Sequence, residues 1–280
     1  MKNFLVVIFG LLLVGCVPAD KTKNTLVSKG VVSKSHKRLK HLVSVADVDN
    51  LVVGNNLNVK ILLANKNAIS ANSMDVLQHS KGVLEVSNDV SKKSKQVYIW
   101  LKKMPKVIKL RGNSKIYLKA KSTSPLKLVA TAPGQIIING WVNINNIQNP
   151  GRADIFAHWL VGSQLNLYSD GGFVQLAGKV NHFILELDHF ARVDSLGLKA
   201  NHVWVNSAGS SLAKLMPAKS LNAIASGHSQ IAYYNQLPLE QVVRQVHNAA
   251  NVVFVNRHET NTKFDSIIVT KKDNSKTVLN

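Results

Sequence analysis

Ala153-Asp154-Ile155, Gly172-Phe173-Val174 and Ala191-Arg192-Val193 repeat one pattern at intervals of 19 residues: a small residue, a variable one, then a branched aliphatic. Extended in both directions, the aliphatics run Ile116, Ile136, Ile155, Val174, Val193, Leu212 and Ile231, with a first gap of 20 and gaps of 19 after it. Two residues before each stand Ser114, Gly134, Ala153, Gly172, Ala191, Ser210 and Ser229, all small. Between these triplets fall apolar pairs two residues apart: Leu126 and Leu128, Leu165 and Leu167, Leu185 and Leu187, Val203 and Val205. A spacing of two is the period of a strand, not of a helix.

A short strand with one apolar face cannot bury that face alone. Stacking successive coils about 4.8 Å apart buries the aliphatic column as a continuous core. The small residue recurs because each coil turns tightly, and a bulky side chain would collide with its copies above and below. The pattern therefore predicts an all-β fold, a parallel β-helix or β-solenoid with coils of about 19 residues. A β-sandwich with regularly spaced strands is the alternative, but it gives no reason for one phased column of small residues.

Working outward, residues 42–110 hold alternating runs such as Leu57-Asn58-Val59-Lys60-Ile61 and Val97-Tyr98-Ile99-Trp100-Leu101, which read as earlier, less regular coils. After Pro238, the positions Leu239, Val242, Val243, Val246 and Ala250 follow helical spacing and predict a short helix capping the open end of the solenoid. Val252 to Val255 and Ile267 to Val269 are further strand candidates in the tail.

At the amino end, Lys2 precedes an apolar run from Phe4 to Val14, too short for a permanent membrane span of about 20 residues. Leu13-Val14-Gly15-Cys16 reads as a lipobox, with Cys16 receiving the lipid. Cys16 is the sole cysteine, so lipidation consumes the thiol and leaves none for a disulfide, a zinc site or a nucleophile. Val17 rather than aspartate follows it, which points to the outer membrane rather than retention at the inner one. The expected organisation is a signal peptide over 1–15, a lipid-anchored flexible tether over 16–41, the solenoid over 42–238, and a helix and tail over 239–280.

The formal net charge is +20, and no Asp or Glu occurs between Asp89 and Asp154. Around the inward Ile116, the residues Lys115, Tyr117, Lys119 and Lys121 alternate outward, joined in sequence by Lys109 and Arg111. Such a stripe suits a repeating anionic ligand: an acidic polysaccharide, lipopolysaccharide or extracellular nucleic acid. The alternative is a solvated, edge-protecting lysine face.

The triplets resemble those of the head GIN domain of auto-transporter adhesins, in which a Ser-Gly-Ser/Ala-Gly type triplet precedes each aliphatic. Ser226-Gly227-His228-Ser229-Gln230-Ile231-Ala232-Tyr233 through Pro238 is similar to that family's closing segment, with Asn235 and Gln236 where it carries glycine. Ser207-Ala208-Gly209-Ser210-Ser211-Leu212 and Asp170-Gly171-Gly172-Phe173-Val174 resemble earlier triplets, and Lys106 to Leu110 the lead-in strand. The resemblance covers about residues 44–238. It implies a right-handed β-coil in an exported, often lipid-anchored protein, and no reaction, since it offers no catalytic residues to carry over.

Carboxylates are sparse within the repeat, which disfavours a polysaccharide-acting enzyme. Asp170 and His189 each lie four residues before a column aliphatic, so they stack on adjacent coils with Asp188 beside them; this trio is the candidate catalytic or cation-binding cluster. Its other reading is a turn-stabilising hydrogen bond. The histidines have no metal-ligand spacing, and His158, His182, His202 and His228 are expected in different columns. No metal or cofactor is implied. Trp141, Trp159 and Trp204 either pack at corners or stack on sugar rings.

Overall fold

A computed structural model describes residues 42–71, 77–80, 82–88, 93–235 and 237–256, together with the strands Ile267–Thr270 and Lys276–Leu279. The signal peptide, the lipobox with Cys16 and the tether lie outside the described residues.

Strands stacked in parallel form one continuous sheet that winds as a β-solenoid. Each coil has two limbs, and the apolar face of each limb turns inward. In the first limb Val59 pairs with Ile116, and the column continues through Ile136, Ile155, Val174 and Val193. In the second limb Leu128 leads through Ile147, Leu167, Leu185, Val205 and Ala223. All these residues are buried. Phe183, not Leu187, is the second apolar residue beside Leu185; Leu187 occupies the corner position between Ser169 and Ser207.

One member of the predicted column is displaced. Val193 pairs with Ala213, and Ala213 pairs with Ile231, while Leu212 pairs with Arg192 and Gln230 on the outer face. The slip follows the corner before it. Ser211, rather than Ser210, turns inward, where its hydroxyl meets Ser207 Oγ at 2.6 Å and donates to the Ala208 carbonyl at 2.7 Å. A buried serine needs such partners, and seating it advances the next strand by one residue.

The corners leading from the second limb into the first limb of the next coil are closed by buried polar side chains. Asn149 accepts from the Ala153 amide at 2.9 Å and donates to the carbonyls of Ala153 and Gly171 at 2.8 and 3.1 Å. Later corners are stacked turns whose second residues have positive φ: His189 (47°), Gly209 (67°) and Gly227 (72°). A Cβ on Gly209 would lie 2.8 Å from the His189 backbone, which is why this column favours glycine.

At the amino end the spatial order departs from the chain order. Leu57–Leu63 lies between Lys95–Leu101 and Lys115–Lys119, and Asn50–Val53 lies between Val83–Val86 and Val107–Leu110. The chain starts on an inner coil, runs outward, lays down the terminal coil and then steps back across the first. The antiparallel strands Leu42–Ser44, Ala68–Ala71 and Leu77–Ser80 join this end and protect its edge.

Among the described residues no helix caps the other end as predicted. A three-residue 3-10 turn, Leu239–Gln241, leads into the strands Val242–Val246 and Asn251–Phe254, which add a last coil by parallel pairing. The β-branched valines favour extended backbone, and the open edge of Leu221–Ala225 supplies hydrogen bonds that a helix would forgo. The inward register ends there: Arg244 pairs with Ala223, and its guanidinium lies 5.3 Å from the Tyr233 ring centroid. The exposed Arg244 thus covers the Tyr233 ring from the second limb, while Phe254 of the last coil packs against that ring from the first.

Candidate binding surface

The strand Lys115–Lys119 buries Ile116 and Leu118 and turns Lys115, Tyr117 and Lys119 outward. Its neighbour Leu57–Leu63 places Lys60 opposite both Tyr117 and Tyr98. The next strand, Lys95–Leu101, presents Tyr98 and Trp100 on the same outer face. Lys60 Nζ lies over the Tyr98 ring and Lys66 Nζ over the Trp100 ring, each 5.6 Å from the centroid. Tyr98 and Trp100 stack with centroids 6.0 Å apart. The result is a face of four ammonium groups, Lys60, Lys66, Lys115 and Lys119, laid among three aromatic rings. None of these four lysines forms an ion pair among the described residues.

This face only partly matches the stripe expected from the sequence. Lys109 lies on the second limb, opposite Val52 and Val129, because the chain rounds a corner between Lys109 and Lys115. Arg111 sits at that corner and pairs with Glu85 at 3.6 Å. Lys121 is exposed at the opposite bend. Lys60, Lys66, Tyr98 and Trp100 were missed. Their alternation is visible in the sequence, but insertion of the Leu57–Leu63 strand beside Lys115–Lys119 is not.

Asp170, Asp188 and His189 come together at the tight corner, with one potential ligand atom from each within 4.8 Å of the others. The imidazole Nδ1 of His189 meets Asp170 Oδ1, and Arg152 lies 3.9 Å from the other carboxylate oxygen. Asp170 thus meets one group from the coil before and one from the coil after. Asp188 Oδ1 accepts from the His189 amide at 2.8 Å. Partial burial, then the charges of Asp170, Asp188 and Glu186, hold the Tyr168 phenol above its ordinary value. The His189 side chain is 58% exposed. This arrangement staples adjacent coils and leaves the imidazole open to water, whereas an acid–base pair is commonly tuned by burial.

Two further side-chain ladders appear on the outer surface. His182 and His202 share a column, contrary to expectation, and their rings stack 5.1 Å apart. An irregularity between Gln175 and Ala177 makes the intervening coil 20 residues long, so counting by 19 separates them. Trp141 and Trp159 stand side by side at the bend between limbs, with centroids 6.3 Å apart and planes inclined by 16°. They are 57% and 58% exposed. Trp204 lies on the second limb between Ile184 and Asn222.

Comparison with known proteins places this geometry among relatives. The family model described as putative auto-transporter adhesin, head GIN domain, matches residues 43–236. A putative adhesin from Parabacteroides distasonis superposes with a TM-score of 0.67 at 17% identity, over 78% of this chain and 96% of that one. A putative adhesin from Parabacteroides merdae gives 0.65 at 16%, with the same coverage of both chains. A putative adhesin from Bacteroides fragilis gives 0.55 at 18%, over 79% of this chain and 98% of that one. At these identities the likeness is one of fold. No curated protein matches the chain by sequence.

Proposed function

This chain belongs to the family of the putative auto-transporter adhesin head GIN domain, and from that premise we propose that it is a non-enzymatic envelope lipoprotein whose solenoid presents a basic, aromatic face to an anionic surface polymer. The observation that carries this reading is the juxtaposition of Lys60, Lys115 and Lys119, on three adjacent strands with Tyr98, Trp100 and Tyr117, with Lys66 reaching the same face from the bend after Leu57–Leu63. A rigid sheet holds the backbone roots of these side chains at fixed spacing, so a polyanion meets several at once and orders only the side chains, not the chain that carries them. The net charge of +20 steers such a partner from a distance. The adhesin relatives are consistent with a display role. The same reading takes Cys16 as the site of lipid attachment to the outer membrane.

Both halves are testable. Cys16→Ser should abolish incorporation of a fatty-acid analogue, and continued labelling would sink the anchor. Protein beginning at Val17 should bind lipopolysaccharide, heparin or DNA at low salt and release it at high salt, because the Debye length falls from about 10 Å at 0.1 M to about 3 Å at 1 M. Changing Lys60, Lys115 and Lys119 to glutamine should lower both the affinity and its salt slope without shifting the melting temperature. Binding that ignores both salt and these lysines would rule the face out.

A further inference from the structure

At the bend between limbs, Val142, Leu160, Gly178 and Leu198 form an inward column. The residues immediately before them, Trp141, Trp159, Ala177 and Gly197, make an outward column with one break in register: the two indoles stack on each other and Ala177 pairs with Gly197, but between Ala157 and Leu160 the register slips, so that His158 and Trp159 together oppose Ala177. That column changes character partway. Two indoles stack on each other, and the next two coils offer a methyl group and then no side chain. At a strand separation of about 4.8 Å, the bare ledge beyond Trp159 is roughly 10 Å long. On its far side Lys179 and Lys199 pair in register, and both are exposed. Lys121, also exposed, precedes Ser122, which pairs with Val142 beside Trp141.

Trp159 is also held at φ 65°, in the left-handed region that disfavours any side chain. The ring gains little burial in return, since it remains more than half exposed. The positive φ falls at the register irregularity between Ala157 and Leu160; such bulges re-aim a side chain, and residues in sparse φ/ψ regions cluster at ligand sites.

We infer that this ledge is a subsite for one sugar ring of an acidic polysaccharide. The pyranose lies with its C–H face on the free face of Trp159, above Ala177 and Gly197, and its carboxylate, sulfate or phosphate substituent meets Lys179 and Lys199. The inference rests on the anionic-polymer reading and specifies the polymer as a glycan. Duplex nucleic acid keeps its base faces stacked inside. Single strands bind along successive separate platforms, whereas here the two indoles occupy each other's inner faces.

The test uses the chain from Val17 to Asn280, with an acidic hexasaccharide of uronic acids, a neutral hexasaccharide and oligothymidylate, followed by calorimetry and tryptophan fluorescence. The acidic hexasaccharide should bind at least tenfold more tightly than the neutral one. Trp159→Ala should weaken it at least tenfold, and so should Ala177→Trp, which fills the ledge with a third indole; the latter should keep the wild-type circular dichroism and melting temperature. Lys179→Gln with Lys199→Gln should reduce the affinity and its salt slope. Hexasaccharide binding that is unchanged by Trp159→Ala and Ala177→Trp but lost with Lys60, Lys115 and Lys119 overturns the ledge and leaves the basic face standing. The opposite pattern overturns the basic face alone. Oligothymidylate binding with the Trp159 dependence, and no hexasaccharide binding, overturns the assignment to a glycan.

Discussion

Val174→Asp and Leu212→Asp place the same charge at two positions that the repeat treats as equivalent and the strand register does not. Val174 is fully buried between Ile155 and Val193. An unpaired carboxylate there costs several kcal/mol, and deleting the buried valine side chain removes about 1.5–3 kcal/mol more. Against a total stability of about 5–15 kcal/mol, the variant should lose its cooperative unfolding transition at pH 7. Leu212 lies half-buried on the outer face beside Arg192. The same outward column carries Asp154 three coils earlier, through Phe173 and Arg192. An aspartate at 212 should therefore cost about 1 kcal/mol or less, as surface changes do. Urea titration followed by far-ultraviolet circular dichroism separates the two. If Leu212→Asp unfolds the protein as Val174→Asp does, the column runs through Leu212 and the register slip is wrong. A wild-type midpoint for Val174→Asp would dispose of the buried column itself.

Asn149→Ala should lower stability by about 2–4 kcal/mol, because it strands the buried Ala153 amide and two carbonyl acceptors; a shift within error in a thermal melt would show that the corner closes without it. At position 159, glycine should be about 1 kcal/mol more stable than alanine in urea unfolding, reversing their usual order in a strand, because φ there is 65°. The reverse ranking would remove the strain on which the sugar subsite partly rests. The Tyr233 phenol is pushed up by burial, against an opposing pull from Arg244. Its folded value thus lies above the unfolded value of about 10, so its contribution is complete below pH 10 and is lost as pH rises through the folded value. Wild type should lose stability relative to Tyr233→Phe only above pH 10, and parallel stability curves from pH 8 to 11 would contradict this.

The solenoid was legible because its cause is local and repeated. A small residue two before a branched aliphatic, in phase over many turns, can be satisfied only by stacked coils, and Ile116, Ile136, Ile155, Val174 and Val193 occupy the column their spacing predicts. The meeting of Asp170, Asp188 and His189 was legible for the same reason, since Asp170 and His189 share a phase and Asp188 is the neighbour of His189 in sequence. Reading failed where one residue of phase was at stake. Ser210 and Ser211 satisfy the small-residue rule equally, and only the partners at Ser207 and Ala208 select Ser211 and move Leu212 out of the core. The same slippage hid the pairing of His182 with His202. Helical spacing after Pro238 misled because an open sheet edge, which offers hydrogen bonds to any extended segment, outweighs a local periodicity.

Composition and alternation by themselves determined that the chain is an all-β coil with a basic surface, and that Lys115, Tyr117 and Lys119 share one outer face. Tertiary structure alone decided what stands beside them. The strand Leu57–Leu63 is inserted between Lys95–Leu101 and Lys115–Lys119, which brings Lys60, Tyr98 and Trp100 to that face while the corner carries Lys109 and Arg111 away from it. The bend likewise sets Trp159, together with His158, opposite Ala177, which pairs with Gly197. Alternation along one strand records which side a residue faces, because that depends on its own backbone. Which strand lies alongside depends on hydrogen bonds between segments distant in the chain, and no spacing within either segment encodes that choice.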